Sequence, residues 1–288
     1  MALTNFIPEI WSARLLQNLH KSLVYGQPGI VNRDYEGEIR EAGDTVRINA
    51  IGPVTISTYT RNSDLGTPEA LTDAQTVLTI TESKTFNFQI DDLDKVQQKP
   101  QVMDEAMREA AYALRDVLDQ YIAAMYTQAS TSNLIGTTAS PKTDILSGGT
   151  NKSYDYLVDL SVKLDEANVP EDGRWVVVPP WYHGVLLKDS RFVNTGSAQA
   201  ESRLANAVIG QAAGFTVIKS NNVPNTTATK YRIVAGHNMA WSMAMQLAKI
   251  EAYRPEKRFA DAVKGLQLYG AKVIRPQALA VLTCNVPS

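Results

Sequence analysis

The chain has 288 residues, 44% hydrophobic and 20% charged, with a formal net charge of −2. That is enough to bury one large core or two small ones, and it excludes both a disordered chain and a dedicated basic nucleic-acid binder. The single cysteine, Cys284, excludes an internal disulfide framework.

No run of about 18 apolar residues marks a membrane helix. The start, Met1-Ala2-Leu3-Thr4-Asn5-Phe6, lacks the basic and then apolar pattern of a signal peptide. The expectation is a soluble protein made inside the cell, of mixed α and β structure and without a membrane partner.

Residues 6–25 carry Trp11, Leu15, Leu16, Leu19, Leu23 and Val24 at helical spacing, with Gly26 as a stop. This helix either packs on its own domain or belongs to an arm that docks on a neighbour; the residues leave both open. Gln27-Pro28-Gly29 breaks the chain, and 30–43 reads as irregular.

Apolar and polar residues alternate through 45–50 and again through 54–59. Leu78, Ile80, Phe86, Phe88 and Ile90 share one face of a second alternating stretch. Between these arms lies a polar, turn-rich tip, Arg61-Asn62-Ser63-Asp64-Leu65-Gly66-Thr67-Pro68-Glu69. Two arms of about 15 residues reach up to roughly 50 Å. A two-stranded ribbon of that length has too little core to stand alone. It folds back on its own sheet or borrows stability from another copy.

Asp91-Asp92-Leu93-Asp94 reads as a solvated linker, because no further ligand spacing makes it a metal site. Residues 101–129 then predict one long helix with no Pro or Gly inside. Met103, Ala106, Met107, Ala110, Leu114, Val117, Leu118, Tyr121, Ile122 and Met125 form its buried stripe. Arg108, Glu109, Arg115, Asp116, Asp119 and Gln120 form the opposite, polar face. At 1.5 Å per residue this spine is roughly 40 Å long.

Residues 130–152, rich in Ser, Thr, Gly and Asn, read as a loop. Ser153 is the expected N-cap of a helix whose apolar face is Leu157, Leu160, Leu164 and Ala167. Residues 174–178 are a continuously apolar strand, the kind buried on both faces. A short helix through Leu187, strands at 214–220 and 231–236, and a helix at 240–247 follow. The tail reads as strands at 263–274 and 278–283, split by Arg275-Pro276-Gln277. The strand at 263–274 is expected to lie across the spine and cover its stripe.

No chemistry-bearing constellation emerges. His20, His183 and His237 have no partner at metal-ligand spacing, and no Ser lies in a nucleophile-elbow pattern. Gly210-Gln211-Ala212-Ala213-Gly214 lacks the Gly-Lys-Ser/Thr ending that grips phosphate, so it reads as tight turns into the next strand. Cys284 sits in an apolar strand, where a thiol is buried and inert. Arg254, Lys257, Arg258 and Lys264 cluster, diluted by Glu251, Glu256 and Asp261, as a solvated charged face does.

The order of arm, ribbon, spine, compact α/β unit and closing strands resembles the major capsid proteins of tailed double-stranded DNA bacteriophages. Particular stretches carry the likeness: 45–59 with 75–90, 101–129, the run 214–224 ending Ser220-Asn221-Asn222-Val223-Pro224, the turn 235–240, and 259–282. The resemblance implies an α+β, Hong Kong 97-type capsid fold. It comprises an N-terminal arm (1–44), an extended β-hairpin loop (45–92), a peripheral domain (93–152) and an axial domain (153–253). Peripheral return strands (254–274) and a final axial strand (275–288) complete it.

It further implies a structural protein, with no catalysis, cofactor or metal, that self-assembles into the icosahedral virion shell around the DNA genome. The implied partners are other copies in hexamers and pentamers, a separate scaffolding protein (288 residues leave no room for a long scaffolding extension), and a portal. Contact with packaged double-stranded DNA would be non-specific, and assembly would occur in the host cytoplasm. Lys84 on the ribbon has no assignable partner for an intersubunit cross-link, and none is expected.

Because the ribbon and arm have the smallest cores of their own, intersubunit contact is expected at Arg61, Asn62, Asp64, Leu65, Thr67 and Pro68 of the tip and at Trp11 and Leu15 of the arm. The alternatives are an encapsulin-like nanocompartment shell on the same fold, or an α/β enzyme with a long surface hairpin.

Overall fold

The computed structural model describes residues 24–34, 45–51, 56, 58–59, 61–62, 73–91, 102–147, 150–189 and 210–287. The arm helix expected over 6–25, most of the ribbon tip, the linker residues 92–94 and residues 190–209 lie outside or largely outside these residues.

Strand β7 (Arg174–Val178) is buried throughout, as its continuous apolar run predicts. It is central in a seven-stranded sheet of order β4-β14-β11-β7-β9-β8, with β10 paired to β11. The other members are β4 (Leu134–Ile135), β8 (Gln211–Ala212), β9 (Phe215–Lys219), β10 (Asn225–Thr226), β11 (Lys230–His237) and β14 (Leu279–Asn285), while β5 (Leu146–Ser147) and β6 (Thr150–Asn151) form a separate antiparallel pair. Helices α2 (Ser153–Glu166) and α3 (Pro180–Leu187) cover one face. There Leu157, Leu160, Leu164, Tyr182 and Leu186 pack with Val176, Val178, Phe215 and Ile233. Trp175 and Val177 turn the other way, to Leu118, Ile122, Trp241 and Tyr269. The alternation along β7 thus joins two cores through one sheet.

The second layer is a three-stranded antiparallel sheet of order β12-β13-β3: β12 (Trp241–Tyr253), β13 (Ala260–Val273) and β3 (Glu82–Asp91). The spine, α1 (Val102–Ala124), tightens into a 3₁₀ turn at Met125–Gln128. Its Met107, Ala111 and Leu114 pack on Ile250, Val263, Phe86 and Phe88. The closing strand therefore does lie across the spine. The stripe differs slightly from its expected course: Ala111 is buried, whereas Val117 is 39% exposed.

The ribbon is β1 (Thr45–Ile51) against β2 (Asp73–Thr79). Thr45 faces Thr79 and Ile51 faces Asp73, a register centred on residue 62, and Asn62 takes the left-handed φ of 66° that a turn residue needs. Its root packs through Leu78, Ile80 and Ile48 on Ala244, Leu266 and Leu268.

Five expectations are corrected. The second arm, expected as one strand over 75–90, is two strands: it leaves β1 after Thr79, and from Glu82 it pairs with β13 instead. Gly270 permits the crossing, since a Cβ there would strike the Thr79 carbonyl oxygen and lie 3.0 Å from Ile80 Cα. Residues 240–247 are strand, not helix, because β12 pairs with β13 from Trp241 to Tyr253, and pairing overrides the helical preference of Met, Ala and Gln. β12 is thereby bound to β13 and, through it, to β3.

The loop 130–152 is stitched to the large sheet. β4 runs parallel to β14, Lys142 N–H donates to the Thr283 carbonyl (2.9 Å), and Asn133 Nδ2 donates to the Gln277 and Leu279 carbonyls. Ser153 is the first helical residue and not the cap; Asn151 Oδ1 accepts from its N–H (3.0 Å) and hydroxyl (2.6 Å). Finally, Asp119, assigned to the polar face of the spine, is 3% exposed.

Candidate assembly surface

The described residues hold no group of three or more His, Cys, Asp or Glu suited to a metal. His183 is buried, which with the nearby Lys219 pushes its imidazole down. His237 is also buried, and its Nδ1 accepts from Met239 N–H at 3.2 Å. Cys284 is fully buried, as expected, and burial pushes its thiol up to about 12, away from the reactive thiolate. Gln211 faces Thr216 and Ala212 faces Phe215 across a turn with Gly214 at φ 80°, so the glycine-rich run is a tight hairpin.

Among the described residues, several large apolar side chains are left open. Ile56 is 95% exposed and Tyr59 68% exposed, both on the ribbon. Phe259 is 85% exposed at the turn between β12 and β13. Helix α2 leaves Val158 and Val162 open one turn apart. An isolated ribbon carrying such residues has no interior in which to place them.

The outer face of the three-stranded sheet is charged. Glu251 is bridged by Lys249 and by Lys264 (2.9 Å), and these two ammonium groups hold its carboxyl down at about 2. Arg254 pairs with Asp261 at 3.2 Å, and Lys264 lies over the Tyr253 ring. Arg254 and Lys264 of the basic cluster are therefore paired with acids on the surface, as its dilution predicts. Beside it runs an open groove of about 420 Å³ lined by Phe86, Leu266, Lys249 and Glu251 among others.

The root of the arm is tied to the body. Asp119 Oδ1 accepts from the N–H groups of Val24 (3.1 Å) and Tyr25 (2.7 Å), while its Oδ2 accepts from Asn222 Nδ2 (3.0 Å). Burial pushes the Asp119 carboxyl up, against the lowering effect of these hydrogen bonds.

A family model described as phage capsid protein matches residues 72–282. A chain of Mycobacterium phage Che8 is 30% identical over 98% of each chain, with a TM-score of 0.73. The chain belongs to the phage capsid protein family. A chain from the capsid structure of the cyanophage P-SCSP1u shares the fold at 19% identity and a TM-score of 0.73, covering 93% of this chain and 90% of that one. A virus-like particle from Pyrococcus furiosus shares it at 14% identity and a TM-score of 0.57, covering 95% and 98%. Among curated proteins, none matches.

This capsid protein is thus a structural, shell-forming protein of the bacteriophage head, its place is the virion capsid, and it associates with copies of itself. Of the residues expected at subunit contacts, the structure places Arg61 and Asn62 in an exposed turn. Asp64, Leu65, Thr67, Pro68, Trp11 and Leu15 lie outside the described residues. Sequence reading missed Ile56, Tyr59 and Phe259 as open surface and Asp119 as an anchor. The one available signal for Asp119 was its position at the border of the spine's apolar stripe, next to Leu118 and one turn from Ile122.

Proposed function

We propose that this capsid protein builds an icosahedral head around a double-stranded DNA genome, as hexamers and pentamers that close with a separate scaffolding protein and a portal in the host cytoplasm. It does so without catalysis. The ribbon tip (Arg61, Asn62, Asp64, Leu65, Thr67, Pro68) and the arm (Trp11, Leu15) contact neighbouring copies. The spine with β3, β12 and β13 acts as the peripheral unit and the seven-stranded sheet as the axial unit. DNA touches the inner face without sequence reading, consistent with a net charge of −2.

The observation that carries this reading, beside family membership, is Ile56 at 95% exposure, on a ribbon whose described residues join a core only at the root. Obligate assemblies typically bury some thousands of Å² per interface, and exposed apolar residues on thin projections are the groups that gain from it.

Electron microscopy of the purified protein, alone and with its scaffold, should show shells or capsomer-sized particles containing DNA when isolated from infected cells. Deleting residues 62–68, or replacing Ile56 and Tyr59 by Ser, should leave the monomer folded and cut particle yield. Unchanged yield would remove the ribbon from the interface, and a protein cargo in place of DNA would point to a nanocompartment.

A further inference from the structure

The chain enters the described fold at Val24 and passes through Asp34 before β1 begins at Thr45. In this short passage it is tied down twice, to different elements. The first tie is Asp119 on the spine, which holds two consecutive backbone N–H groups, those of Val24 and Tyr25, on one carboxylate oxygen. Asn222 holds the other oxygen and is itself oriented by Asp116 Oδ1 (2.8 Å), which in turn receives Gln120 Nε2 on Oδ2 (2.8 Å).

The second tie is the start of β12. Trp241 Nε1 donates to the Ile30 carbonyl (2.8 Å), Asn32 N–H donates to the Trp241 carbonyl (3.1 Å), and Met243 N–H donates to the Asn32 carbonyl (3.0 Å). Between the ties, Ile30 and Val31 N–H groups close a turn on the Gln27 carbonyl. Tyr25 stands at the junction, fully buried, with its ring edge-on to Trp241 at 6.3 Å.

We propose that residues 24–34 are a strap with two separate clamps. Asp119 is the positioning residue for the root of the N-terminal arm, and Trp241 with Asn32 fixes the chain on its way to the ribbon. Each end can then be displaced during assembly while the other holds. Asp119 grips backbone and not side chain, so it sets where the arm departs without depending on the arm's sequence. A carboxylate serves because it offers lone pairs to several donors at once. The polar contacts of the two clamps stand on different supports, a helix and a strand edge, and the Tyr25 ring against Trp241 is packing that both share.

The inference rests on the proposed assembly role of arm and ribbon for its biological meaning, but its first readout does not. Amide hydrogen exchange on the full-length unassembled subunit compares the natural protein with Asp119→Ala, Asn222→Ala and Trp241→Phe. Asp119→Ala should speed exchange at Val24 and Tyr25 by at least about tenfold and leave Asn32 and Met243 protected. Asn222→Ala should give a weaker form of the same pattern, and it stands in if Asp119→Ala does not fold. Trp241→Phe should speed exchange at Asn32 and spare Val24 and Tyr25.

Loss of protection at both clamps in any one variant, or no change at Val24 and Tyr25 in both Asp119→Ala and Asn222→Ala, overturns the strap. Particle yield is the second readout. The expected exchange pattern with undiminished yield in Asp119→Ala would remove the arm from assembly while leaving the clamps as described.

Discussion

The seven-stranded sheet and the spine-and-ribbon half of this capsid protein solve burial in opposite ways. In the first, β7 sends Trp175 and Val177 into one core and Val176 and Val178 into another, so both faces are covered within one chain. In the second, the sheet β12-β13-β3 packs one face on the spine and seats the ribbon root on part of the other, then presents Lys249, Glu251 and Lys264 to solvent. The ribbon beyond its root carries Ile56 and Tyr59 in the open. One face of the large sheet is covered by its own helices and the other by the spine with β12 and β13, whereas the described ribbon residues beyond the root join neither core. Under the proposed assembly, the large sheet keeps the subunit's shape and the ribbon is completed by neighbours.

The comparison breaks most sharply if the spine is not a buried beam. Leu114→Asp places a charge among Met107, Ala111, Ile250 and Val263 and should prevent the subunit from folding. A soluble L114D subunit with natural circular dichroism would contradict that packing. Leu160→Ala, fully buried beneath the large sheet, should cost about 2–5 kcal/mol without touching the ribbon. A lowered unfolding midpoint with particles still forming at low temperature would mark this half as framework.

Gly270→Ala tests the joint between the halves. Its methyl meets the Thr79 carbonyl where the chain leaves the ribbon, so about 1–3 kcal/mol of strain should appear together with reduced assembly. Tyr25→Phe should be nearly neutral in thermal unfolding, or slightly stabilising, because the buried hydroxyl has no hydrogen-bond partner among the described residues.

The smallest effect concerns acid. The hydroxyl of Tyr156 and the ammonium of Lys152 hold the Asp144 carboxyl down at about 2, below the ordinary 3.8. A depressed carboxylate stabilises the fold above its unfolded value and loses that contribution as pH falls from 3.8 towards 2. Asp144→Asn should therefore lower the melting temperature slightly at neutral pH. The two proteins' curves should converge over that acid range, and parallel curves would refute the linkage.

Elements governed by local pattern were legible. The run Trp175-Val176-Val177-Val178 announces a strand buried on both faces, and the three-four spacing around Leu114, Leu118 and Ile122 announces the spine. Misread elements were those that a distant partner decides. Met243 to Leu247 suits a helix until β13 supplies a strand along its whole length. Phe86 and Phe88 look like a ribbon's inner face until Gly265, beneath the Phe86 ring, shows that they line the spine's bed. Asp119 looks solvated until the arm root arrives with two N–H groups to satisfy.

The helix and strand periods, and the likeness to phage capsids that the family match bears out, are written in the order of the residues. Which strand pairs with which, where the second arm changes partners, and that an acid on the spine holds backbone at the arm's root emerge only once the chain is packed. Period is a property of neighbours along the chain, so residues alone reveal it. Pairing and burial of a polar group depend on residues separated by 94 positions, as in Tyr25 and Asp119, and nothing local records them.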